Sequence, residues 1–263
     1  MLALLTNDDG IYAPGLSAMR AALEAQGDLE VFVIAPDRER SACGHAITMH
    51  KPLMVEQVPL PDGKSPGYLV AGTPADCVKL GVEALLSTAP DLVISGINRG
   101  QNLGTDVFYS GTVSAAIEGA ILGIPSIAIS LAGWEDPDYS LAASFGSHLA
   151  RRVLERGLPP STLLNVNVPA RERSEITGVC VTRLGVLRYV NVFDKRVDPR
   201  GRIYYWMAGQ VDEGSEEGTD DWAIKQNMVS VTPVQLDLTA HKTMKYLEGW
   251  DLSTHEERED RGV

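Results

Sequence analysis

The sequence predicts a three-layer α/β fold, with a mainly parallel sheet, helices on both faces and a smaller C-terminal extension of a hairpin and a tail. Three observations predict it. Apolar runs of strand length alternate with helix-spaced stretches through the first half of the chain. Glycine-rich polar segments follow those runs directly, where strands of a parallel sheet pass into helices. The second half is less regular, and the chain divides into a core, 1–183, and a segment, 184–263, that holds the hairpin, returning core elements and the tail.

Each element has its own signal. Leu2 to Thr6 is a short apolar run, expected as a buried strand. Gly15 to Gln26 carries Leu16, Met19 and Leu23 at helical spacing, and Gly27 can close the helix. Glu30 to Ala35 is the next strand, and Pro36 to Lys51 a long polar loop. Leu53 to Val58 and Tyr68 to Val70 flank Pro61-Asp62-Gly63 and read as a hairpin. Thr73-Pro74-Ala75-Asp76 is a helix start, with Thr as N-cap, Pro in the first turn and Asp beside the helix dipole. That helix is expected to run to about Ser87. Leu92 to Ser95 is a buried strand, Thr112 to Leu122 a helix closed by Gly123, and Ser126 to Leu131 another strand. Tyr139 to Glu155 reads as a helix and Leu163 to Val168 as a strand. Leu184 to Ala208 reads as two strands joined by a charged loop, Asp194 to Arg202. Thr219-Asp220-Asp221 opens a short helix, and Val229 to Val234 is a strand. The tail beyond Asp237 mixes Met244, Leu247 and Trp250 with a charged end, Glu256 to Arg261. The architecture is therefore Rossmann-like, and ligands are expected beyond the carboxyl ends of the strands.

Composition narrows the function. The 263 residues suffice for one large α/β domain with an appendage. The formal net charge of −12 lacks the basic footprint of a protein that grips a nucleic-acid duplex. Any site for an anion must then supply its own local positive charge. The three cysteines, Cys43, Cys77 and Cys180, form no C-x-x-C pair, which fits a reducing cytoplasm. The apolar start is broken by Asp8 and Asp9 too early for a signal peptide, and no apolar run is long enough to span a bilayer.

Four loops after strands carry candidate chemistry. In Thr6-Asn7-Asp8-Asp9-Gly10 two adjacent carboxylates repel each other unless a cation sits between them. A hard divalent ion such as Mg²⁺ or Mn²⁺ answers that conflict, and a simple turn also accounts for the same residues. Ser95 to Gly104 contains Asn98 and Asn102, neutral oxygen acceptors among glycines, yet is neither a dinucleotide fingerprint nor a Walker loop. Tyr109-Ser110-Gly111-Thr112 opens a helix, where free N–H groups suit phosphate and equally suit simple capping. After the second strand, Ser41 is a possible oxygen ligand and Arg38 or Arg40 a phosphate partner. His45 and His50 are expected as surface or structural residues, and Cys43 has no activating base nearby in sequence.

The ordered set of segments resembles the SurE family of survival-protein nucleotidases. The matching stretches are Thr-Asn-Asp-Asp-Gly at 6–10, Ala-Pro-Asp-Arg-Glu-Arg-Ser at 35–41, Gly-Thr-Pro-Ala-Asp-Cys-Val at 72–78, Ser-Gly-Ile-Asn-Arg-Gly-Gln-Asn-Leu-Gly at 95–104 and Tyr-Ser-Gly-Thr-Val-Ser-Ala-Ala at 109–116, with Gly-Thr-Asp at 218–220 and Ser-Val-Thr-Pro at 230–233 later. The resemblance implies a metal-dependent 5'-nucleotidase that also releases phosphate from 3'-nucleotides and short polyphosphate. It implies one divalent ion per subunit held by Asp8, Asp9, Ser41 and Asn98, with Asp8, Asp9 and Asn98 catalytic. It places Asn102, Ser110, Gly111 and Thr112 by the substrate phosphate, and attack by water without a phosphoenzyme is expected. A cytoplasmic homodimer or homotetramer is implied, with the 184–208 hairpin and the tail exchanged between subunits. A receiver-type signalling domain would also carry an early acidic pair, but these loops offer no clearly placed phosphoacceptor.

Overall fold

A computed structural model describes residues 1–61, 65–135, 137–190, 192–207, 209–211, 215–250 and 252. The Asp62-Gly63 turn and the charged end of the tail, 256–261, lie outside the described residues.

The chain begins with β1 (Leu2–Thr6), α1 (Pro14–Glu24), β2 (Glu30–Pro36), β3 (Val55–Pro59), β4 (Pro66–Val70) and α2 (Pro74–Leu80). It continues through β5 (Leu92–Arg99), α3 (Gly111–Ile121), β6 (Ser126–Ala132), α4 (Ser140–Arg156), β7 (Thr162–Pro169) and β8 (Gly178–Val181). The remainder is β9 (Tyr189–Val190), β10 (Phe193–Val197), β11 (Ile203–Met207), β12 (Gln210–Val211), α5 (Asp220–Lys225), β13 (Met228–Gln235) and α6 (His241–Leu247).

Nine strands form one sheet in the order β3-β4-β2-β1-β5-β6-β7-β13-β8. The run from β4 to β7 is parallel throughout, and the antiparallel pairings come from β3 on β4 and β13 on β7. Alternation along the central strands feeds two cores, because successive side chains leave a strand on opposite faces. Ala3 and Leu5 of β1, with Ile94, Ile127 and Ile129, pack with Leu16, Met19 and Leu23 of α1 and Ala142, Ala150 and Val153 of α4. Leu4 and Val93 point the other way, to Cys77 and Val78 of α2 and Ala115 of α3. Each fully buried leucine or isoleucine contributes about 2 kcal/mol of transfer free energy, so the faces of the central strands dominate the fold's stability. The expected layered α/β class is what the chain adopts, with the apolar runs on the inner strands.

Local chemistry explains the helix starts. Thr73 caps α2 in a reciprocal box: its hydroxyl accepts from Asp76 N at 3.0 Å, and Asp76 Oδ2 accepts from Thr73 N at 2.9 Å. Helix α1 begins without a side-chain cap, and Pro14 takes the first turn, where its missing N–H costs nothing.

Several boundaries differ from the sequence reading. The helix expected to reach Ser87 ends its α-helical part at Leu80 and closes in a π-helical turn, Gly81–Leu85. Strand β5 continues past Ser95 to Arg99, so the start of the supposed glycine-rich loop is strand. The charged loop expected at 194–202 is shorter, because Asp194 to Val197 belong to β10 and pair with β11. Both strands of that hairpin are exposed on both faces, so charge costs them nothing there. Strand β8 went unseen in the sequence: its four residues alternate between half-buried and exposed and lie at a sheet edge.

Candidate active site

The carboxyl ends of β1, β2 and β5 meet the start of α3, and the four candidate loops come together there. Asn7, fully buried, closes the first loop on itself: Nδ2 donates to Gly10 O at 2.9 Å and Oδ1 accepts from Gly10 N at 3.2 Å. This turn sends Asp8 and Asp9 to different neighbours.

Asp8 is 4% exposed and faces α3. Thr112 donates to it twice, from its hydroxyl to Oδ1 at 2.5 Å and from its backbone N–H to Oδ2 at 3.1 Å. Gly111 must be glycine for this approach, since a Cβ there would lie 2.8 Å from Asp8 Cβ and 2.9 Å from its Oδ2. Asp9 turns toward β5, and its Oδ2 accepts the backbone N–H of Arg99 at 3.1 Å. Arg40 N donates to Asp8 O at 2.7 Å, which brings the loop carrying Ser41 against the same turn.

Burial pushes the Asp8 carboxyl up to about 6, against the stabilising Thr112 hydroxyl and with a further push from the Asp9 charge. Burial also raises Asp9, opposed by the Arg99 N–H and aided by the Glu39 charge. Two neighbouring carboxylates that both resist ionisation make a place where a cation is favourable. The guanidinium of Arg99 does not fill it, because Nε and Nη2 both donate to Trp134 O, at 3.1 and 2.7 Å.

Asn98 owes its position to an irregularity in β5. The register with β6 shifts between Ser95 and Asn98, and Gly96 adopts φ +135°, where a Cβ would collide with Ile129 O. Asn98 Nδ2 is spent on Gly100 O at 2.8 Å, and no hydrogen bond engages its Oδ1 among the described residues. Ser41 is exposed, and its hydroxyl donates to Glu39 Oε1 at 2.6 Å.

The start of α3 is a narrower cradle than its sequence suggested. Thr112 N–H serves Asp8, and Val113 N–H donates to the Ser110 hydroxyl at 3.1 Å. Gly111 N–H and the Ser110 hydroxyl proton are what remain for a ligand. Asn102 is held in a buried network: its N–H donates to Asn167 Oδ1, its Nδ2 to Ser130 Oγ, and its carbonyl accepts from Asn165 and Asn167. Sequence reasoning missed Asn165 and Asn167. Their signal was present: two asparagines, two residues apart, on one face of an otherwise apolar strand.

The remaining candidates lie aside. Arg38 and His50 are exposed, and Arg40 pairs with Asp37 at 2.8 Å. His45 Nε2 meets the buried Glu118 at 2.9 Å, a structural tie between the long loop and α3. Cys43 is half-buried, and burial with the Asp8 charge pushes its thiol up, away from a reactive thiolate. No group of three or more His, Cys, Asp or Glu able to hold a metal occurs among the described residues; this cluster instead combines two carboxylates with neutral oxygens.

Fold and site together define a Rossmann-like α/β protein with an oxygen-rich, doubly acidic site at the carboxyl edge of its parallel sheet. The model of the survival protein SurE family matches residues 3–191, and the chain belongs to the SurE family. The 5'-nucleotidase SurE of Heliobacterium modesticaldum is 54% identical over 95% of this chain and 92% of its own length. That of Pelotomaculum thermopropionicum is 56% identical, over 94% of each chain. The crystal structure of the SurE protein from Aquifex aeolicus superposes with a TM-score of 0.82 at 46% identity, covering 94% of this chain and all of that one. No described helix is long and apolar enough to cross a membrane.

Proposed function

We propose that this chain is a divalent-metal-dependent 5'-nucleotidase, hydrolysing nucleoside 5'-monophosphates to nucleoside and phosphate, with 3'-nucleotides and short polyphosphate as further substrates. The observation that carries the reading is the Asp8-Asp9 pair at the end of a central strand, each carboxylate held by a backbone N–H from a different element, the start of α3 and the end of β5. Relatives more than half identical to it bear the 5'-nucleotidase name.

The donor set fits one hard ion, Mg²⁺ or Mn²⁺. Asp8 and Asp9 bring charge, Asn98 Oδ1 is unspent, Ser41 adds a hydroxyl, and all four offer oxygen. When bound, such an ion polarises the phosphoryl group and generates a stronger water nucleophile. The chain's own residues do the rest. Thr112 fixes the orientation of Asp8. Gly111 N–H and the Ser110 hydroxyl, at the positive end of α3, steady the phosphoryl oxygens. Asn102, braced by Asn165 and Asn167, would add a further contact to the phosphate. Water attacks phosphorus directly in this reading, since carboxylates committed to a metal are poor nucleophiles and bases.

We further read the chain as a cytoplasmic homodimer or homotetramer, with a core of 1–183 and an exchanged segment within 184–263. The hairpin of β10 and β11 exposes Phe193, Ile203, Trp206 and Met207, apolar surface that a second subunit would cover. The three cysteines are free thiols, in keeping with a reducing compartment.

Phosphate release from a panel of nucleoside monophosphates tests the function. Activity should vanish with EDTA and return with Mn²⁺ or Mg²⁺. Full activity after exhaustive chelation would remove the metal, and binding of AMP without phosphate release would make the protein a nucleotide-binding scaffold instead.

A further inference from the structure

A cavity of about 390 Å³ opens beside the acidic pair, lined from Asp9, Glu39 and Ser41 across to Tyr139 and Trp134. Trp134 follows β6 and is 61% exposed. Its backbone is anchored and its ring packs on Gly100. One side of its ring lies against Gly100, where a Cβ would come within 2.5 Å of Trp134 Cζ2. Gly100 also has φ +102°, a conformation that keeps a side chain out of that contact. The Trp134 carbonyl is clamped by two bonds from the Arg99 guanidinium, at 3.1 and 2.7 Å. The Arg99 N–H in turn donates to Asp9 at 3.1 Å. A single short chain of bonds therefore runs from Asp9 to the backbone of Trp134 and anchors the residue that carries the indole.

We propose that this cavity is the nucleoside subsite and that Trp134 is its stacking platform for the base. The proposal rests on the nucleotidase reading and deepens it. Three features of the cavity match a nucleoside. It shares Asp9 and Ser41 with the proposed metal site, its volume accommodates a base and a sugar, and its lining joins the Trp134 indole to the Glu39 carboxylate, which can accept ribose hydroxyls. Stacking reads a π-face rather than a hydrogen-bond pattern, so the platform accepts every base and favours the larger purines.

The test compares kcat/KM for AMP with that for ribose 5-phosphate, which lacks the base, in wild type, Trp134→Ala and Trp134→Phe. Calorimetric binding of adenosine, which has no phosphate to lose, accompanies it. In Trp134→Ala the AMP-to-ribose-5-phosphate ratio of kcat/KM should fall by about tenfold or more, the scale of lost base–aromatic stacking. Adenosine affinity should fall by a similar factor, and Trp134→Phe should retain most of both. An equal fall for the two substrates, or an adenosine affinity that does not depend on Trp134, would overturn the subsite. Trp134-dependent adenosine binding with no phosphate released from AMP by the wild type would uphold the subsite and remove the nucleotidase reading alone.

Discussion

Thr112 donates twice to Asp8, its hydroxyl at 2.5 Å and its backbone N–H at 3.1 Å. A residue at the mouth of a helix thus orients a carboxylate at the end of a strand more than a hundred residues earlier. Thr112→Val keeps the shape and the N–H but deletes the hydroxyl. Mn²⁺ affinity, measured by calorimetry, should weaken by about tenfold, the usual cost of removing a group that orients a metal ligand. Thr112→Ser should restore it, and an unchanged affinity in the valine variant would mean that the hydroxyl does not position Asp8.

Gly111→Ala tests the close approach of α3 to the same carboxylate. Alanine is the better helix former, so helical circular dichroism should be preserved. The new methyl would lie 2.8 Å from Asp8 Cβ and must displace it. Turnover should drop on the order of a hundredfold, the effect of moving a site group by about an ångström. Wild-type turnover would show that the helix start can yield.

Asp220 ties the segment before the hairpin to the core. It is fully buried and accepts three backbone N–H groups, from Gly104 at 2.8 Å, Gly185 at 2.8 Å and Asp221 at 3.0 Å. Asp220→Ala leaves all three without their acceptor and should cost about 2–3 kcal/mol in urea unfolding. Asp220→Asn keeps Oδ1, which serves Gly185 and Asp221, and should cost less. Equal losses in the two variants would assign the effect to packing.

A chain ending after Thr239 loses α6 and the apolar side chains Met244, Tyr246 and Trp250, all exposed in a single subunit. Its mass by light scattering should shift toward smaller species. A mass that still corresponds to the full-length oligomer would rule out exchange through the tail.

The inner strands were legible because burial on both faces writes a continuous apolar run: Leu2 to Thr6 and Ser126 to Leu131 are seen at once. The capped start of α2 was legible because a capping box is local chemistry. Strand β8 was not, since an edge strand that is half-exposed leaves no such run. The end of β5 was hidden for a different reason. Its glycine and asparagine resemble a loop, and what makes them strand is the partner β6, invisible from sequence.

At the site, the residue types pointed to an oxygen-rich cluster, and the loops that carry them do converge. Their division of labour needed the fold. Thr112, expected beside the phosphate, spends its hydroxyl and N–H on Asp8, while Asn102 is braced by asparagines from β7. The long-range tie from Asp9 through Arg99 to Trp134 joins two strand ends that are far apart in the chain.

By itself the sequence determined the layered α/β class, the family resemblance and the residues able to offer hard oxygens, because periodicity, capping and residue chemistry are local properties. The tertiary structure decided which donor serves which acceptor, which helix amide stays free, and that an aromatic ring stands beside the acidic pair. Hydrogen bonds are directional and short, so these assignments exist only once strands and helices distant in sequence are brought within about 3 Å of one another.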